Sequence, residues 1–328
     1  MSERAERRET IAARRQWMKT TLGAAAAGAA AVPFLDLWAA QARGGEACAG
    51  AAPSMAGKDV PPESWRADGG LIKHSVMAWC YDGIPMPELI AACARMGLSA
   101  MEGLDAKYFP AVRKAGMAIS LVGSHGFQRG PLDPENRDFC VQKLREAIAQ
   151  AVEFGAVNVI TFTGMRKPGI SDKQAEANCV ECWKAVIDEA EKKGVNLCLE
   201  HLNTRDDTHP MKGHPGYFGD DVERCVDLIK RVDSPRMKLL FDIYHVQVMH
   251  GDVIRRIRNY HQYIGHVHTA GVPGRGEIDE TQEVYYPAVM RALVEVGYTG
   301  YVAHEFIPTW PDKLAALRYG ARVCDIRR

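Results

Sequence analysis

The chain has 328 residues, 47% of them hydrophobic, which is enough to bury one large core and still leave a leader segment. It carries 41 basic and 41 acidic side chains, so its formal net charge is zero. A surface that binds nucleic acid usually has a basic excess, and the balance therefore argues against nucleic acid as a partner.

The first 42 residues have the pattern of an export signal. Arg14 and Arg15 precede a mildly apolar run of alanine and glycine at residues 20–33, and residues 40–42 offer a small-residue cleavage site. This pattern resembles a twin-arginine signal, with an N-terminal amphipathic helix as the alternative. We expect residues 1–42 to be a signal peptide, residues 43–70 a flexible linker rich in alanine, glycine and proline, and residues 71–328 one folded domain.

The apolar run is too short and too weak to stay in a bilayer as a permanent membrane anchor. The expected product is a soluble periplasmic or secreted protein that the twin-arginine (Tat) machinery exports already folded. Whether it forms a homo-oligomer is left open by the sequence.

Short apolar runs alternate with amphipathic helical segments from residue 71 onward. The predicted strands are residues 71–79, 98–102, 118–122, 158–164, 196–200, 237–242, 264–268 and 300–305. The predicted helices are residues 87–96, 108–115, 137–154, 171–193, 220–232, 252–260 and 285–296. Strict alternation of this kind favours a closed parallel (β/α)₈ TIM barrel over an open sheet.

The nine cysteines are odd in number and scattered, which does not fit a disulfide framework. Cys179 and Cys182 have the spacing of a redox or zinc pair, but no second pair follows and they lie inside a predicted helix. Packing beside Trp183 against the sheet is the favoured interpretation.

Four of the predicted strands end in side chains that bind metals. Glu200, Asp242, His268 and Glu305 occupy these positions, and the carboxyl ends of barrel strands share one rim. Three carboxylates and an imidazole suit one divalent ion, with Mn²⁺ or Mg²⁺ favoured and Co²⁺ or Zn²⁺ as alternatives. A lone acidic residue at a strand end is often only a helix cap, but that explanation is poor for four residues on one rim.

Other polar residues near strand ends are weighed individually. The cap explanation is favoured for Asp105 and Asp220. Glu102 and His125 are candidate substrate contacts at the second and third strand ends. His266 and His304 are interpreted as packing residues that point to the opposite side from their neighbours by strand alternation.

Several segments together carry a resemblance to a known family. Residues 201–206, 215–217, 241–247, 265–268 and 272–277 resemble the hydroxypyruvate isomerase branch of the xylose isomerase-like TIM barrels, a superfamily that also holds ketose epimerases and an endonuclease. The resemblance extends from residue 71 to about residue 310. It implies a barrel fold, a divalent metal and a sugar or keto acid substrate.

The resemblance also implies roles for individual residues. It places the metal ligands at Glu200, Asp242, His268 and Glu305, and the paired acid/base carboxylates at Glu200 and Glu305. His245 corresponds to a histidine that contacts substrate oxygens, and Arg275 to an arginine that binds a hydroxyl or carboxylate group.

Two departures from the hydroxypyruvate isomerase pattern concern the substrate. Members of that branch tend to have glutamine where this chain has His268, so the ligand set is closer to that of the ketose epimerases. The loop at residues 276–286 keeps Glu283 but lacks the usual glycine-rich turn.

The predicted activity is metal-dependent isomerisation or epimerisation of a small unphosphorylated sugar or keto acid through an enediolate. One alternative is a metal-dependent lyase or hydratase on 3-keto sugars. Another is a non-catalytic exported protein that binds a sugar. Phosphodiester cleavage ranks below these because the chain has no excess positive charge.

Overall fold

A computed structural model describes residue 55 and residues 57–327. The predicted signal peptide and Cys48 lie outside the described residues. Eight parallel strands form one sheet: β1 Lys73–Met77, β2 Ala100–Glu102, β3 Ala118–Ile119, β4 Asn158–Thr161, β5 Asn196–Glu200, β6 Met237–Asp242, β7 Ile264–Thr269 and β8 Tyr301–His304.

The sheet closes on itself. Its strand order is β3-β2-β1-β8-β7-β6-β5-β4, and a parallel bridge between Val122 and Val159 joins the two outer strands. At this seam Val122 N donates to Asn158 O at 2.9 Å, and Ile160 N donates to Val122 O at 3.0 Å. The predicted TIM barrel is confirmed, although β3 is two residues long where five were predicted.

In the described part of the chain, ten helices surround the sheet: α1 Met86–Arg95, α2 Phe109–Lys114, α3 Arg137–Phe154, α4 Asp172–Lys184, α5 Ile187–Lys193, α6 Val222–Val232, α7 Ile243–Met249, α8 Val253–Tyr260, α9 Tyr286–Glu295 and α10 Lys313–Cys324. Short 3₁₀ turns lie at Ala78–Tyr81, Ala106–Tyr108, Pro134–Asn136 and His261–Tyr263. The single helix predicted at residues 171–193 is two helices, because the backbone at Val186 leaves helical geometry with φ −129°. Helices α7 and α10 were not predicted.

Helix α6 shows how the sequence produces the barrel's outer layer. Asp221 caps it by accepting from Arg224 N at 2.8 Å, and Asp233 ends it in a left-handed conformation with φ 61°. One face of the helix is buried against the barrel, and burial of each such apolar side chain contributes about 1.5–3 kcal/mol. The buried face consists of Val222, Cys225, Val226, Leu228, Ile229 and Val232.

One of the two predicted acidic caps is present in the structure. Asp105 is a cap, since its side chain accepts from Lys107 N. Asp220 is not a cap; Asp221 takes that position, and Asp220 Oδ2 instead accepts from Thr204 at 3.2 Å.

The cysteines among the described residues are all free and buried, and Cys179 and Cys182 lie beside Trp183 inside α4. Packing is therefore confirmed for the cysteine pair.

Residues 57–70 precede β1 and form no helix or strand. They run along α10, where Arg318 Nε donates to Pro61 O at 2.9 Å and Arg322 pairs with Asp59 at 2.7 Å. Among the described residues, no helix combines the length and apolar character needed to cross a membrane.

Candidate metal centre and active site

The structure brings the four predicted metal ligands together. Glu200 and Asp242 end β5 and β6, His268 lies near the end of β7, and Glu305 directly follows β8. Asp242 and His268 are register partners across β6 and β7. One ligand atom from each of the four residues lies within 4.8 Å of the others, and all four side chains are buried. We call these four residues the ligand cluster.

Several buried polar atoms of the ligand cluster lack a hydrogen-bond partner among the described residues. They are Glu200 Oε1, His268 Nδ1 and Glu305 Oε2. His268 Nδ1 lies only 2.6 Å from Glu305 Oε2 and 3.5 Å from Glu200 Oε1, yet neither contact has hydrogen-bond geometry. An unsatisfied buried polar atom costs about 1–3 kcal/mol, and ligation of one divalent cation by these converging lone pairs would remove that cost. The donor set of carboxylate oxygens and one imidazole fits such an ion.

Glu102 lies behind the ligand cluster and holds His268. Its Oε1 is 2.7 Å from His268 Nε2, its Oε2 is 2.8 Å from His266 Nε2, and Ser120 Oγ donates to it as well. A proton on His268 Nε2 in this hydrogen bond leaves the Nδ1 lone pair free for a metal, which is the usual carboxylate–histidine arrangement behind metal ligands. Both oxygens of Glu102 thus have protein partners, although the sequence suggested a substrate contact.

His266 is buried, as a packing residue should be, but it does not point to the opposite side from His268. Residues two apart on a strand face the same side, so His266 shares the side of His268. Their rings pack edge to face with centroids 5.0 Å apart. His304 is different: its contacts are with His74 and Thr269 and not with the ligand cluster.

Asp242 serves two purposes at once. Its Oδ1 caps α7 by accepting from Tyr244 N at 2.8 Å and His245 N at 3.3 Å. Its Oδ2 faces the site, 3.3 Å from Arg275 Nη2 and 3.6 Å from His245 Nε2. Capping and ligation were treated as alternatives for the strand-end residues, but Asp242 caps with one oxygen while its other oxygen faces the site.

His245 presents a hydrogen-bond donor to the site. Asn203 N donates to its Nδ1 at 3.0 Å, so the neutral ring carries its proton on Nε2. That nitrogen is buried and has no hydrogen-bond partner among the described residues. Burial first, and then the positive charge of Arg275, hold the pKa of His245 well below its ordinary value, which keeps the ring neutral.

Arg275 supplies the positive charge of the site. Its Nη2 lies 2.7 Å from Glu305 Oε2, and its Nη1 donates to Met211 O at 2.5 Å. The backbone of Arg275 is left-handed with φ 55°, an unfavourable conformation for a long side chain. Such strain is common where a side chain must be held at a functional position.

The two predicted acid/base carboxylates have different protonation behaviour. Burial raises the pKa of Glu200 to about 7, and the negative charge of Glu305 adds to this. Burial acts to raise the pKa of Glu305 too, but Arg275 and His268 hold it below its ordinary value. A bound cation would lower both values. Environments that separate two carboxylates in this way are typical of an acid and a base.

The ring nitrogens of His125 and Trp79 have protein partners. His125 was a candidate substrate contact, but both its ring nitrogens have protein partners, Gly126 O and Thr161 Oγ1, each at 2.9 Å. Trp79 Nε1 donates to Glu305 Oε1 at 3.2 Å and so helps to fix that carboxylate. Its position just after β1, on the shared rim, is the signal that could have revealed this role.

Comparisons with known proteins agree with the geometry. A putative hydroxypyruvate isomerase of Xenopus laevis is 26% identical over 249 residues, which cover 71% of this chain and 88% of that protein. The solved structure of an AP endonuclease, family 2, from Brucella melitensis matches with a TM-score of 0.68 and 24% identity, over 76% of this chain and 98% of that one. The 3-keto-D-glucoside 4-epimerase of E. coli matches with a TM-score of 0.62 and 18% identity, over 77% of this chain and 100% of that one.

At these identities the two structural matches show the fold alone. The family model described as "Xylose isomerase-like TIM barrel" matches residues 90–324, well over half of the chain. The chain belongs to the xylose isomerase-like TIM barrel family.

Proposed function

We propose that this protein is a divalent-metal-dependent isomerase or epimerase of a small, unphosphorylated sugar or keto acid. The observation that carries the proposal is the convergence on one point of the rim of buried ligand atoms from Glu200, His268 and Glu305 that have no hydrogen-bond partner among the described residues. The similarity to a putative hydroxypyruvate isomerase supports the reaction class. Its substrate, by that name, would be a three-carbon keto acid with a neighbouring hydroxyl group.

The ligand cluster would hold the ion. A divalent cation bound there would polarise the substrate carbonyl and stabilise the negative charge that develops on its oxygen. Mn²⁺ and Mg²⁺ suit the three carboxylates, and the single imidazole also accommodates Co²⁺ or Zn²⁺.

The proton transfers fall to the two glutamates. Glu305, held ionised by Arg275, is suited to remove the proton from the carbon next to the carbonyl, which leaves an enediolate. Glu200 has the higher pKa and is suited to return a proton to the neighbouring carbon. Each acid/base contribution of this kind is typically worth about 10²–10⁴-fold in rate.

His245 and Arg275 would orient the substrate. The His245 Nε2–H can donate to a substrate hydroxyl or carbonyl oxygen, since no described residue accepts from it. The Arg275 guanidinium lies beside Glu305 and can bind a hydroxyl or carboxylate group. The positive charge of the Arg275 guanidinium favours keto acids among the candidate substrates.

The test is proton exchange with solvent. Metal-loaded protein is incubated in D₂O with hydroxypyruvate and, separately, with a set of unphosphorylated ketoses, and deuterium incorporation is followed by NMR. Isomerase or epimerase activity requires metal-dependent incorporation of deuterium at the carbon beside the carbonyl. An unsaturated product would identify the lyase alternative. Binding of a substrate without any exchange would identify a binding protein.

A further inference from the structure

Residues 57–69 form a segment that we call the N-terminal strap. Near its end, the backbone N–H groups of Asp68 and Gly69 donate to the Asp325 carboxylate at 3.0–3.1 Å. Further forward, Asp59 pairs with Arg322 of α10. The strap lies outside residues 90–324, the part of the chain that matches the family model. A cut at the predicted cleavage site near residue 42 would leave it in the mature protein.

Lys58 is the residue that ties the strap to the rim. Its Nζ lies 2.7 Å from Asp279 Oδ2 and 2.6 Å from Glu280 Oε1, both in the loop between β7 and α9. The same atom is 5.4 Å from the ring centroid of Trp310, in the loop after β8. The side chains of Lys58 and Asp279 are 7% and 2% exposed, so this ion pair is largely removed from water.

The two loops that Lys58 contacts are also bound to each other. The Glu277 carboxylate accepts from Thr309 N, Thr309 Oγ1 and Trp310 N at 2.5–2.8 Å. Ile307 N donates to Arg275 O at 2.7 Å. One of these loops carries Arg275, and the other begins at Glu305. The strap, through Lys58, thus closes a ring of contacts around the two loops that support the site.

The energetics make Lys58 important to this ring. Asp279 and Glu280 are adjacent acidic residues, and Lys58 compensates the charge of both. Removal of one partner from a largely buried ion pair leaves the other uncompensated, which is far more costly than loss of an exposed pair. Loss of Lys58 should therefore loosen the loop that carries Arg275 without altering the barrel itself.

We propose that the N-terminal strap supports the substrate site through Lys58, a positioning residue that holds the loop carrying Arg275 in its substrate-binding conformation. This inference rests on the proposed function for its kinetic consequence. Its structural consequence, the protection of the loop from amide hydrogen exchange, can be measured without any activity.

The experiment compares Lys58→Met with wild type in the full chain. Amide hydrogen exchange of residues 271–284 should be about tenfold faster in the variant, because the loop opens more often, while the strands keep their protection. The KM of the isomerase reaction should rise about fivefold with kcat within about twofold, since binding and not chemistry is affected. Lys58→Arg, which keeps the charge, should have a rate of hydrogen exchange and a KM close to those of wild type.

Arg327→Met is the matched control. Arg327 forms an ion pair with Asp68 of the same strap, but their side chains are 70% and 63% exposed, so neither exchange nor KM should change. If Lys58→Met fails to fold, the double variant Lys58→Met/Asp279→Asn removes the tie without leaving an unpaired buried carboxylate. Unchanged exchange in a folded variant, or faster exchange with unchanged KM, would overturn the inference. If wild type isomerises none of the substrates but Lys58→Met still exchanges faster, the proposed function is rejected. The contact between Lys58 and the loop then remains supported.

Discussion

Two buried polar clusters lie next to each other at the end of β8, and they differ in how their atoms are satisfied. In the first, the ligand cluster, Glu305 Oε2 and His268 Nδ1 are 2.6 Å apart without forming a hydrogen bond. In the second, His304 has partners at both ring nitrogens. Its Nε2 lies 3.2 Å from His74 Nδ1, and its Nδ1 lies 3.1 Å from Thr269 Oγ1. We call His74 and His304 the histidine pair.

This difference distinguishes the candidate functional cluster from a structural one. Both clusters are equally buried, so burial of polar groups alone says little about function. Partnered groups can stabilise the fold, and the rings of the histidine pair stack with centroids 5.4 Å apart. The remaining nitrogen of the pair, His74 Nε2, has no hydrogen-bond partner among the residues that the structure describes but lies 3.5 Å from Asp325 Oδ1. Converging lone pairs without partners cost stability unless a ligand binds. Variants in the two clusters should therefore change different quantities.

The largest expected effect is that of Glu305→Gln. The amide keeps the shape of the side chain but cannot remove a proton, so metal-dependent deuterium exchange should fall by about 10²–10⁴-fold. The metal-free protein should still fold but should be less stable than wild type to thermal unfolding, since the variant removes a carboxylate that pairs with the buried Arg275. Glu181→Gln on the exposed surface of α4 is the control and should leave exchange unchanged. Full exchange activity in Glu305→Gln would remove this residue from the mechanism.

The next effect concerns the residue behind the ligand cluster. Glu102→Gln replaces the carboxylate that orients His268, and loss of such a partner typically weakens metal affinity about 10–100-fold. Isothermal titration of the metal-free protein with Mn²⁺ measures this directly. His268→Gln should change the preference among Mn²⁺, Mg²⁺, Co²⁺ and Zn²⁺ in the same titration. An unaltered titration curve for Glu102→Gln would show that His268 is positioned without it.

The sequence was sufficient to predict where the ligand cluster forms. Apolar runs ending in Glu200, Asp242 and Glu305 identified strands, and barrel topology places the ends of all strands on one rim. Even the bounds of β5 and β6 agree with the prediction. These features are local, since each depends on hydrophobic periodicity within a few residues.

The partners of these residues could not be predicted in the same way. Glu102 meets His268 across 166 residues of sequence, and Trp79 meets Glu305 across 226. Such pairs depend on strand register and side-chain direction, which the apolar pattern does not specify. Register is affected here by Gly265, an extra residue in β7 where the pairing with β6 shifts. A side chain at Gly265 would bring its Cβ within 2.7 Å of Lys238 Cβ, so the shift depends on glycine.

A smaller effect is expected in the histidine pair. His74→Phe keeps a ring that can stack on His304 but removes His74 Nδ1. The buried His304 Nε2 then loses its hydrogen-bond partner. The free energy of unfolding should fall by about 1–3 kcal/mol in urea titrations, with and without metal. Mn²⁺ affinity should stay within about threefold of wild type. A large loss of metal affinity instead would mean that the two clusters are coupled.

The smallest predicted effect is a loss of stability at acid pH caused by His125. This residue is another buried histidine with partners at both nitrogens. Burial lowers the pKa of His125 to about 4, below the unfolded value of about 6.5. The folded state therefore binds fewer protons, and the stability that this group contributes is complete above pH 6.5 and is lost as the pH falls towards 4. Between pH 7.5 and pH 5.5 the loss from this one group should be about 1 kcal/mol.

Urea titrations of metal-free wild type and His125→Gln at these two pH values measure the His125 contribution. The variant lacks the titrating ring, so its stability should fall less between pH 7.5 and pH 5.5 than that of wild type, by about 1 kcal/mol. Other buried histidines, such as His201 and His214, have pKa values that burial lowers to about 3 and will contribute equally to both proteins. The difference between the two proteins therefore isolates His125. Equal pH dependence would mean that burial does not lower the pKa of His125 in the folded state.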